Sequence, residues 1–536
     1  MALRVRLPQR NAGDNGTTWG SVLMAVPVAW VDKTRLDNQR RNLTGRKYRT
    51  LVTVVCGCAF SLFGYDQALY GGVASGNAFL KQFNHPNATL TGQIAALYDI
   101  GCLIGCLLGG STITVIGAII QTASMNVGML IAGRVVGGIG NGMNTAVVPV
   151  YHAETSLSAS RGRAVVGELL VNNLGWLTAQ FLTLGFSFTV GDVQWRFPTA
   201  FQIVFLLPIF FIIPVLPDSP RWLASNQRFD EASTVLSRIL DESPLSPSFA
   251  AQMQGIREVA LLETSARKTK ASDLWNDPGR NFFRLCLACS VQLMAQTGGI
   301  NILAYYIVII FETQLGLSST ISRALAACAG FGLVLSNLTS STVIEKWGRR
   351  RLLLLGSAGQ CMCFLVSGVV LATGGTATWS GIVVVVMVYL FFIVFAFAWQ
   401  AIPFLYPAEI LSLKYRARYY GLANACNWTV NYAIVLVTPI GIENIGWRFY
   451  LVFATFNFVN GLIVYFFFVE TAGSSLEELD LFFLGSGNES IKEPPFLKLE
   501  KTRVVQVSAA SFHDSVSSKR GLEDKSMPTT AQLEHV

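Results

Sequence analysis

Tyr406-Pro-Ala-Glu-Ile-Leu-Ser-Leu-Lys-Tyr-Arg-Ala-Arg418 has an earlier counterpart in Pro149-Val-Tyr-His-Ala-Glu-Thr-Ser-Leu-Ser-Ala-Ser-Arg-Gly-Arg163. In each, an Ala-Glu pair is followed by arginine seven and nine residues later: Glu154 with Arg161 and Arg163, Glu409 with Arg416 and Arg418. A second pair of matches closes each stretch, Asp218-Ser-Pro-Arg221 in the first and Glu470-Thr-Ala-Gly473 in the second. One such match carries little, but matched pairs at matched positions mean that the chain is built twice on one plan.

What surrounds the repeat is apolar. Of 536 residues, 52% are hydrophobic and 13% charged, where a soluble globular domain carries about 25% charged residues. Val383–Trp399 and Phe449–Val469 hold no charge, and each is near the roughly 20 residues that cross a hydrocarbon core. Such runs lie near residues 50–72, 92–110, 111–126, 128–150, 165–188 and 199–217, then 284–311, 322–344, 351–373, 379–403, 419–440 and 447–469. The expected organisation is a tail over 1–49, a six-helix half over 50–217, a polar linker over 218–283, a second half over 284–469 and a tail over 470–536. The fold class is an all-α membrane protein of about twelve spans in two pseudo-symmetric halves.

Loop charges test that count. Arg46, Lys47 and Arg49 precede the first span, and Arg161 and Arg163 follow the fourth. Lys346 and Arg349–Arg351 follow the eighth, and Lys414, Arg416 and Arg418 follow the tenth. With twelve spans all of these fall on one side, which puts both termini in the cytoplasm. The sequon Asn87-Ala-Thr89 falls on the other side. Together these favour the plasma membrane. The run Thr91–Asn126 contains no basic residue. Read as one helix it would reverse the parity, so a tight turn at Gly109-Gly110 is expected, with the second and third helices shortened.

The net charge of +8 sits at helix ends and in the tails, so it implies no nucleic acid. The ten cysteines all lie in apolar runs and read as packing residues, with neither disulfide nor metal expected. The four histidines (His85, His152, His513, His535) are scattered. No Ser/His/Asp set, zinc motif or phosphate loop suggests an enzyme, and no cofactor is expected.

Over residues 50–480 the chain resembles the sugar porter family of the major facilitator superfamily, most closely fungal sugar or polyol–proton symporters. The motifs carrying the likeness are Gly64-Tyr-Asp66, Gly133-Arg134, Pro149…Glu154…Arg161-Gly-Arg163 and Pro217-Asp-Ser-Pro-Arg221 in the first half. The second half adds Gly299-Ile-Asn301…Tyr305-Tyr306, Glu345-Lys-Trp-Gly-Arg349-Arg350, Tyr406-Pro-Ala-Glu409, Asn427-Trp428 and Glu470-Thr…Leu476-Glu-Glu478. One departure is large. The family's Gly-Arg-Arg loop between the second and third spans, the counterpart of Glu345–Arg350, is absent. Glu345 lies 64 residues before Glu409, but the Gly109-Gly110 turn only about 45 before Glu154, so the first half is short by roughly 19 residues.

The resemblance implies a major facilitator fold, a monomer, and transport of a sugar or polyol with protons across the lipid bilayer. It pairs Asp66, an acid inside an apolar span, with Arg134 as the proton-coupling group. A carboxylate at that depth is functional by default, although a structural ion pair is the competing reading. Gln292, Gln296 and Asn301 fall at spacings of four and five on the seventh span, next to Gly298-Gly299. Amides carry paired donors and acceptors suited to hydroxyls, or they tie helices together. The resemblance assigns these three to substrate, with Asn427 and with Phe404, which stands where many relatives have Trp. Ala295 and Leu169 replace glutamines of relatives. Glu168 and Asn172 share one face of the fifth span and join the candidate ligands. Tyr305 and Tyr306 match the outer gate. Glu154, Arg163, Glu345, Arg349, Arg350, Glu409 and Arg418 match ion pairs that hold the inner side closed. Alternatives are a non-transporting sugar sensor, a uniporter, or an inactive variant lacking the loop between helices 2 and 3.

Overall fold

The computed structural model describes residues 43–484 apart from 109–111, 157–160, 267–278, 376, 413–414 and 475. Most of both tails, the Gly109-Gly110 turn, Lys414, and the side chains of Arg163 and Arg418 therefore lie outside the described residues. The regular structure within them is helical, without strands. The first half comprises α1 (Gly45–Ala74), a short α2 (Asn77–Gln82), α3 (Ala88–Leu108), α4 (Thr112–Thr122), α5 (Val127–Thr155), α6 (Arg161–Phe186) and α7 (Val193–Ile212). Three linker helices follow: α8 (Pro220–Ser225), α9 (Phe229–Leu240) and α10 (Pro247–Ala266). The second half holds α11 (Asn281–Thr297), α12 (Ile300–Leu315), α13 (Ser319–Trp347), α14 (Arg349–Gly374), α15 (Thr378–Ala398), α16 (Ile402–Ile410), α17 (Arg416–Ile445) and α18 (Arg448–Phe467). A last helix, α19 (Leu476–Phe483), closes the described chain.

Among the described residues, nine segments are long and apolar enough to cross a membrane, α11–α12 and α15–α16 each counting as one. α5 and α6 have the length but carry Arg134, Asn141 and Asn144, or Glu168, Asn172 and Asn173, all buried. Both helices turn these polar residues toward the interior of the protein. The run Thr91–Asn126 is divided as expected, into α3 and α4. α3 keeps 21 residues, enough to span. α4 has 11, about 16 Å at 1.5 Å per residue, and so bears most of the shortening.

Two helices are interrupted. The seventh span breaks at Gly299, whose φ of +91° is left-handed backbone that glycine adopts freely. The tenth breaks between Ala398 and Ile402, ahead of Pro403 and Pro407. Broken helices place free backbone groups at membrane depth, which is tolerated only inside protein. The halves meet along α3 against α17, α6 against α13, and α1 against α12. The first two contacts are related by the repeat, the second span of each half packing on the fifth of the other.

The linker is helical rather than merely polar. α9 buries Ala232, Val235, Leu236 and Ile239, one face at helical spacing. Arg49 donates to the Ile239 carbonyl at 2.6 Å, and Tyr151 to the Pro217 carbonyl at 2.9 Å. At the chain's far end α19 docks on α11 through Arg284 and Asp480. All these ties lie at the end of the bundle that carries the basic loops, termed here the basic end.

Candidate functional site

Asp66 is buried on α1. Its Oδ2 accepts a hydrogen bond from the Tyr98 hydroxyl of α3 at 2.7 Å, and its Oδ1 has no partner. Arg134 of α5 is also buried. Its guanidinium carbon lies 4.4 Å from the centre of the Tyr98 ring and 5.3 Å from that of Tyr70. Nε donates to the Ile94 carbonyl at 3.4 Å, and Nη2 is unpartnered. The expected Asp66–Arg134 pair is thus mediated rather than direct. Tyr98 is hydrogen-bonded to the acid and stacked under the cation, a geometry in which each charge retains an unused hydrogen-bonding atom. Sequence spacing held no sign of Tyr98, because the contact joins three helices.

Four of the expected ligands do come together. Gln292 Nε2 donates to the Pro403 carbonyl at 2.8 Å, and its Oε1 accepts from Asn427 Nδ2 at 2.6 Å. Asn427 Oδ1 accepts from Gln296 Nε2 at 2.8 Å, and Gln296 Oε1 accepts from Asn301 Nδ2. Asn301 Nδ2 also donates to Asn431 Oδ1 at 2.6 Å. The result is a row of amides from α11, α12 and α17 in which each donor faces an acceptor. Hydroxyls of an entering ligand can replace these partners one for one, since each hydroxyl both donates and accepts. Phe404 lies beside this row on α16, next to Pro403, and its carbonyl accepts from Tyr420 at 3.5 Å.

The row continues to a residue that sequence reading passed over. Asn431 Nδ2 donates to Asp99 Oδ1 at 3.2 Å, and the same oxygen accepts from Tyr305 at 3.4 Å. Asp99 is fully buried on α3, so these bonds cross from one half to the other. The signal was available: an acid in an otherwise apolar segment, as for Asp66.

Tyr305 and Tyr306 are wholly buried, and Tyr306 donates to the Val435 carbonyl at 3.0 Å. A Cβ on Gly71 would stand 1.9 Å from the Tyr305 carbonyl oxygen, so α1 and α12 touch through backbone. Nearby, Arg323 of α13 donates to Ser75 at 2.8 Å and to the Gly72 carbonyl at 3.4 Å. The end opposite the basic loops is thereby closed between the halves.

At the basic end Arg349 bridges Glu345 at 2.9 Å and Glu409 at 2.8 Å. Glu409 accepts from Thr471 at 2.6 Å. Glu470 accepts from the backbone N–H groups of Arg349 at 2.8 Å and Arg350 at 3.1 Å, an anion at a helix N-terminus. Arg350 itself donates to the Tyr465 carbonyl at 2.6 Å. Glu154 accepts from Ser219 at 2.5 Å. Among the described residues, the hydrogen-bond and ion-pair partners of Arg349 and Glu409 belong to the second half. These pairs clamp helices within one half in this structure.

A scan against known families matches residues 50–483 to the sugar (and other) transporter model. The chain belongs to the sugar (and other) transporter family. It is 33% identical over 532 residues to "Sugar transporter STL1" of Saccharomyces cerevisiae, covering 92% of each chain. It is 35% identical over 467 residues to "MFS-type transporter oryC" of Aspergillus oryzae, covering 82% of this chain and 86% of the other. A "High-affinity glucose transporter" of Kluyveromyces lactis is 26% identical over 513 residues, covering 87% and 92%. Among solved structures, the proton:xylose symporter XylE bound to 6-bromo-6-deoxy-D-glucose superposes with a TM-score of 0.68 at 22% identity, over 81% of this chain and 99% of the other. That likeness establishes the major facilitator fold.

In this family member Glu168 and Asn172 do not join the amide row. Asn172 Nδ2 donates to the Phe60 carbonyl at 3.2 Å, across the α1–α6 contact. Glu168 accepts from, or pairs with, His152 Nδ1 at 2.7 Å, and His152 Nε2 lies 3.3 Å from the Thr53 hydroxyl. The Cys56 sulfur completes a buried group whose ligand atoms all lie within 4.8 Å of one another. Sequence reading had not placed His152 beside Glu168 and Cys56. Three helices bring these residues together, His152 only 16 positions before Glu168 but Cys56 112 before it, so the sequence neighbourhood of any one of them does not show the group. A further amide lattice was also missed. Asn173 and Gln400 exchange hydrogen bonds at 3.1 and 2.6 Å, and Asn337 donates to Gln400 at 3.2 Å, linking α6 to the break in the tenth span.

Proposed function

We propose that this chain is a secondary transporter that carries a sugar or polyol together with a proton by alternating access. The observation that supports it is one continuous hydrogen-bonded path. It runs from the amide row in the second half to Asp99 and lies beside the Asp66–Tyr98–Arg134 group in the first. Gln292, Gln296, Asn301 and Asn427, beside Phe404, bind the substrate, whose hydroxyls take over the amide–amide bonds. Asp66 takes up and releases the proton, with Arg134 as its counter-ion. A ligand shifts the balance between the two openings only through its different affinity for each. Tyr305 and Tyr306 gate the closed end, and the Arg349 cluster steadies the basic end. Glu168 and Asn172 belong to the walls of the first half. The basic end faces the cytoplasm with both termini, the membrane is the plasma membrane, and the working unit is the monomer. No enzymatic step is part of this reading.

The test is uptake of labelled D-glucose, D-xylose and glycerol by cells expressing the full chain, with a pH electrode in the medium. Uptake accompanied by alkalinisation supports symport. In Asp66→Asn, proton movement and uphill accumulation are expected to disappear. Accumulation at the original level in that variant would refute Asp66 as the coupling site.

One observation favours a second reading. At 11 residues α4 is too short to span unaided, which fits a chain that reaches the membrane without transporting. Uptake that appears only after a loop and helical turns are inserted between α3 and α4 would establish it.

A further inference from the structure

Asp99 is fully buried in this structure. Oδ1 accepts from Tyr305 and Asn431, and Oδ2 has no partner. The groups facing it are Arg134 from α5, Tyr305 and Tyr306 from α12, Cys102 one turn along α3, and Asn431 from α17. From α1 comes Asp66, which faces the same guanidinium. Arg134 is the one cation in that set.

We propose that Asp99 is a second proton-binding carboxylate, which couples occupancy of the amide row to the Asp66–Arg134 group. The proposal rests on the transporter reading above. Two carboxylates share one guanidinium, all three buried. With both acids ionised the group would hold an uncompensated negative charge out of water, a costly state. The set is electrically balanced with a single proton, which belongs to the pair of acids rather than to either alone.

The amide row supplies the coupling. In this structure Asn301 donates to Asn431, and Asn431 in turn donates to Asp99. A donor from a neutral amide supports the ionised acid. When hydroxyls draw Asn301 and its neighbours into new bonds, Asn431 loses its partner and is free to turn toward the ligand. Asp99 then loses a donor and takes up a proton on its oxygen from the open aqueous side. Only an O–H bond is made, and the same proton leaves when the sugar does. Reciprocity follows: if sugar favours the proton, the proton favours sugar by the same factor. Tyr305, bonded to the same oxygen and packed on α1, carries the change to the closed end of the bundle.

The test uses the purified full chain in lipid, as wild type, Asp99→Asn, Asp99→Glu and Asn431→Leu. Infrared difference spectra on acidification read protonation of carboxyl groups directly, without any sugar. The expected result is a protonated-carboxyl band that is missing in Asp99→Asn and returns, displaced, in Asp99→Glu. D-Glucose, D-xylose and glycerol affinities are then compared between about pH 8 and about pH 5. Wild type should tighten about tenfold for its substrate, Asp99→Asn should show no such change, and Asn431→Leu should keep the band but lose the effect of sugar on it. A spectrum of Asp99→Asn that matches wild type, or a pH dependence of affinity that survives the substitution, overturns the proposal. Failure of wild type to bind any of the three probes would count against the transporter reading, and the infrared comparison would still decide whether Asp99 binds a proton.

Discussion

Tyr98 performs two tasks with two parts of one side chain. Its hydroxyl donates to Asp66 at 2.7 Å, and its ring supports Arg134 at 4.4 Å. Tyr98→Phe keeps the ring and removes the donor, leaving both Asp66 oxygens unpartnered. A buried acceptor stripped of its partner costs about 1–3 kcal/mol, so a lower unfolding temperature in detergent is expected, together with an altered pH profile of uptake. Retention of both would mean that the hydroxyl bond has no weight. The His152–Glu168 pair makes a separate prediction. His152→Leu leaves the buried Glu168 carboxyl without this hydrogen-bond partner, a change worth about 1–3 kcal/mol. Glu168→Gln keeps a hydrogen-bonding oxygen, so it should cost clearly less in the same thermal measurement. Asp66 was visible because an acid inside an apolar run marks itself, and Gln292, Gln296, Asn301 and Asn427 because the family resemblance pointed to them. Tyr98, Asn431 and Asn173 fall in no motif that carries the resemblance, and only their partners on other helices single them out.

Among the elements, the break between α11 and α12 decides where the amide row sits. Gly298 and Gly299 end one helix and begin the next, which turns Asn301 back toward Gln296. A methyl group at Gly299 would meet Phe364 at 2.7 Å and impose a left-handed φ on an L residue. Gly299→Ala should therefore lower substrate affinity as well as stability by about 1–2 kcal/mol, read as a higher KM beside a lower Tm. The glycine pair announced this break in the sequence. The corresponding break between α15 and α16 was hidden in an uncharged apolar run, although Pro403 and Pro407 lay just beyond it. The parity of α3 and α4 was inferred from loop charge, and their unequal lengths emerged only in the folded chain.

For the whole molecule, two of the ties between halves lie at the end away from the basic loops: Gly71 on Tyr305, and Arg323 on Gly72 and Ser75. The Arg349 cluster at the other end stays within one half. The structure is therefore shut at one end, and its stability there is the free energy that opening must overcome. Arg323→Ala removes two bonds across the closed end. It should shift the population toward the state open on that side, seen as faster thiol labelling of an Ala74→Cys reporter, buried at the same end of α1, when the two substitutions are combined. Labelling at the rate of Ala74→Cys alone would show that Arg323 contributes nothing to closure.

By itself the sequence determined the class, the number of spans, the two-fold repeat and the side on which the basic loops gather. These follow from the length and apolarity of each segment and from charge at its ends, which are local properties that lipid and water read one helix at a time. The tertiary structure alone decided which polar residues share a site. It set Tyr98 between Asp66 and Arg134, carried the amide row on to Asp99, sent Glu168 to His152 and Cys56, and kept the Arg349 pairs within one half. Buried polar groups must find partners wherever the helices happen to bring them, and those partners lie far apart along the chain. Helix crossing, rather than spacing in the sequence, selects them.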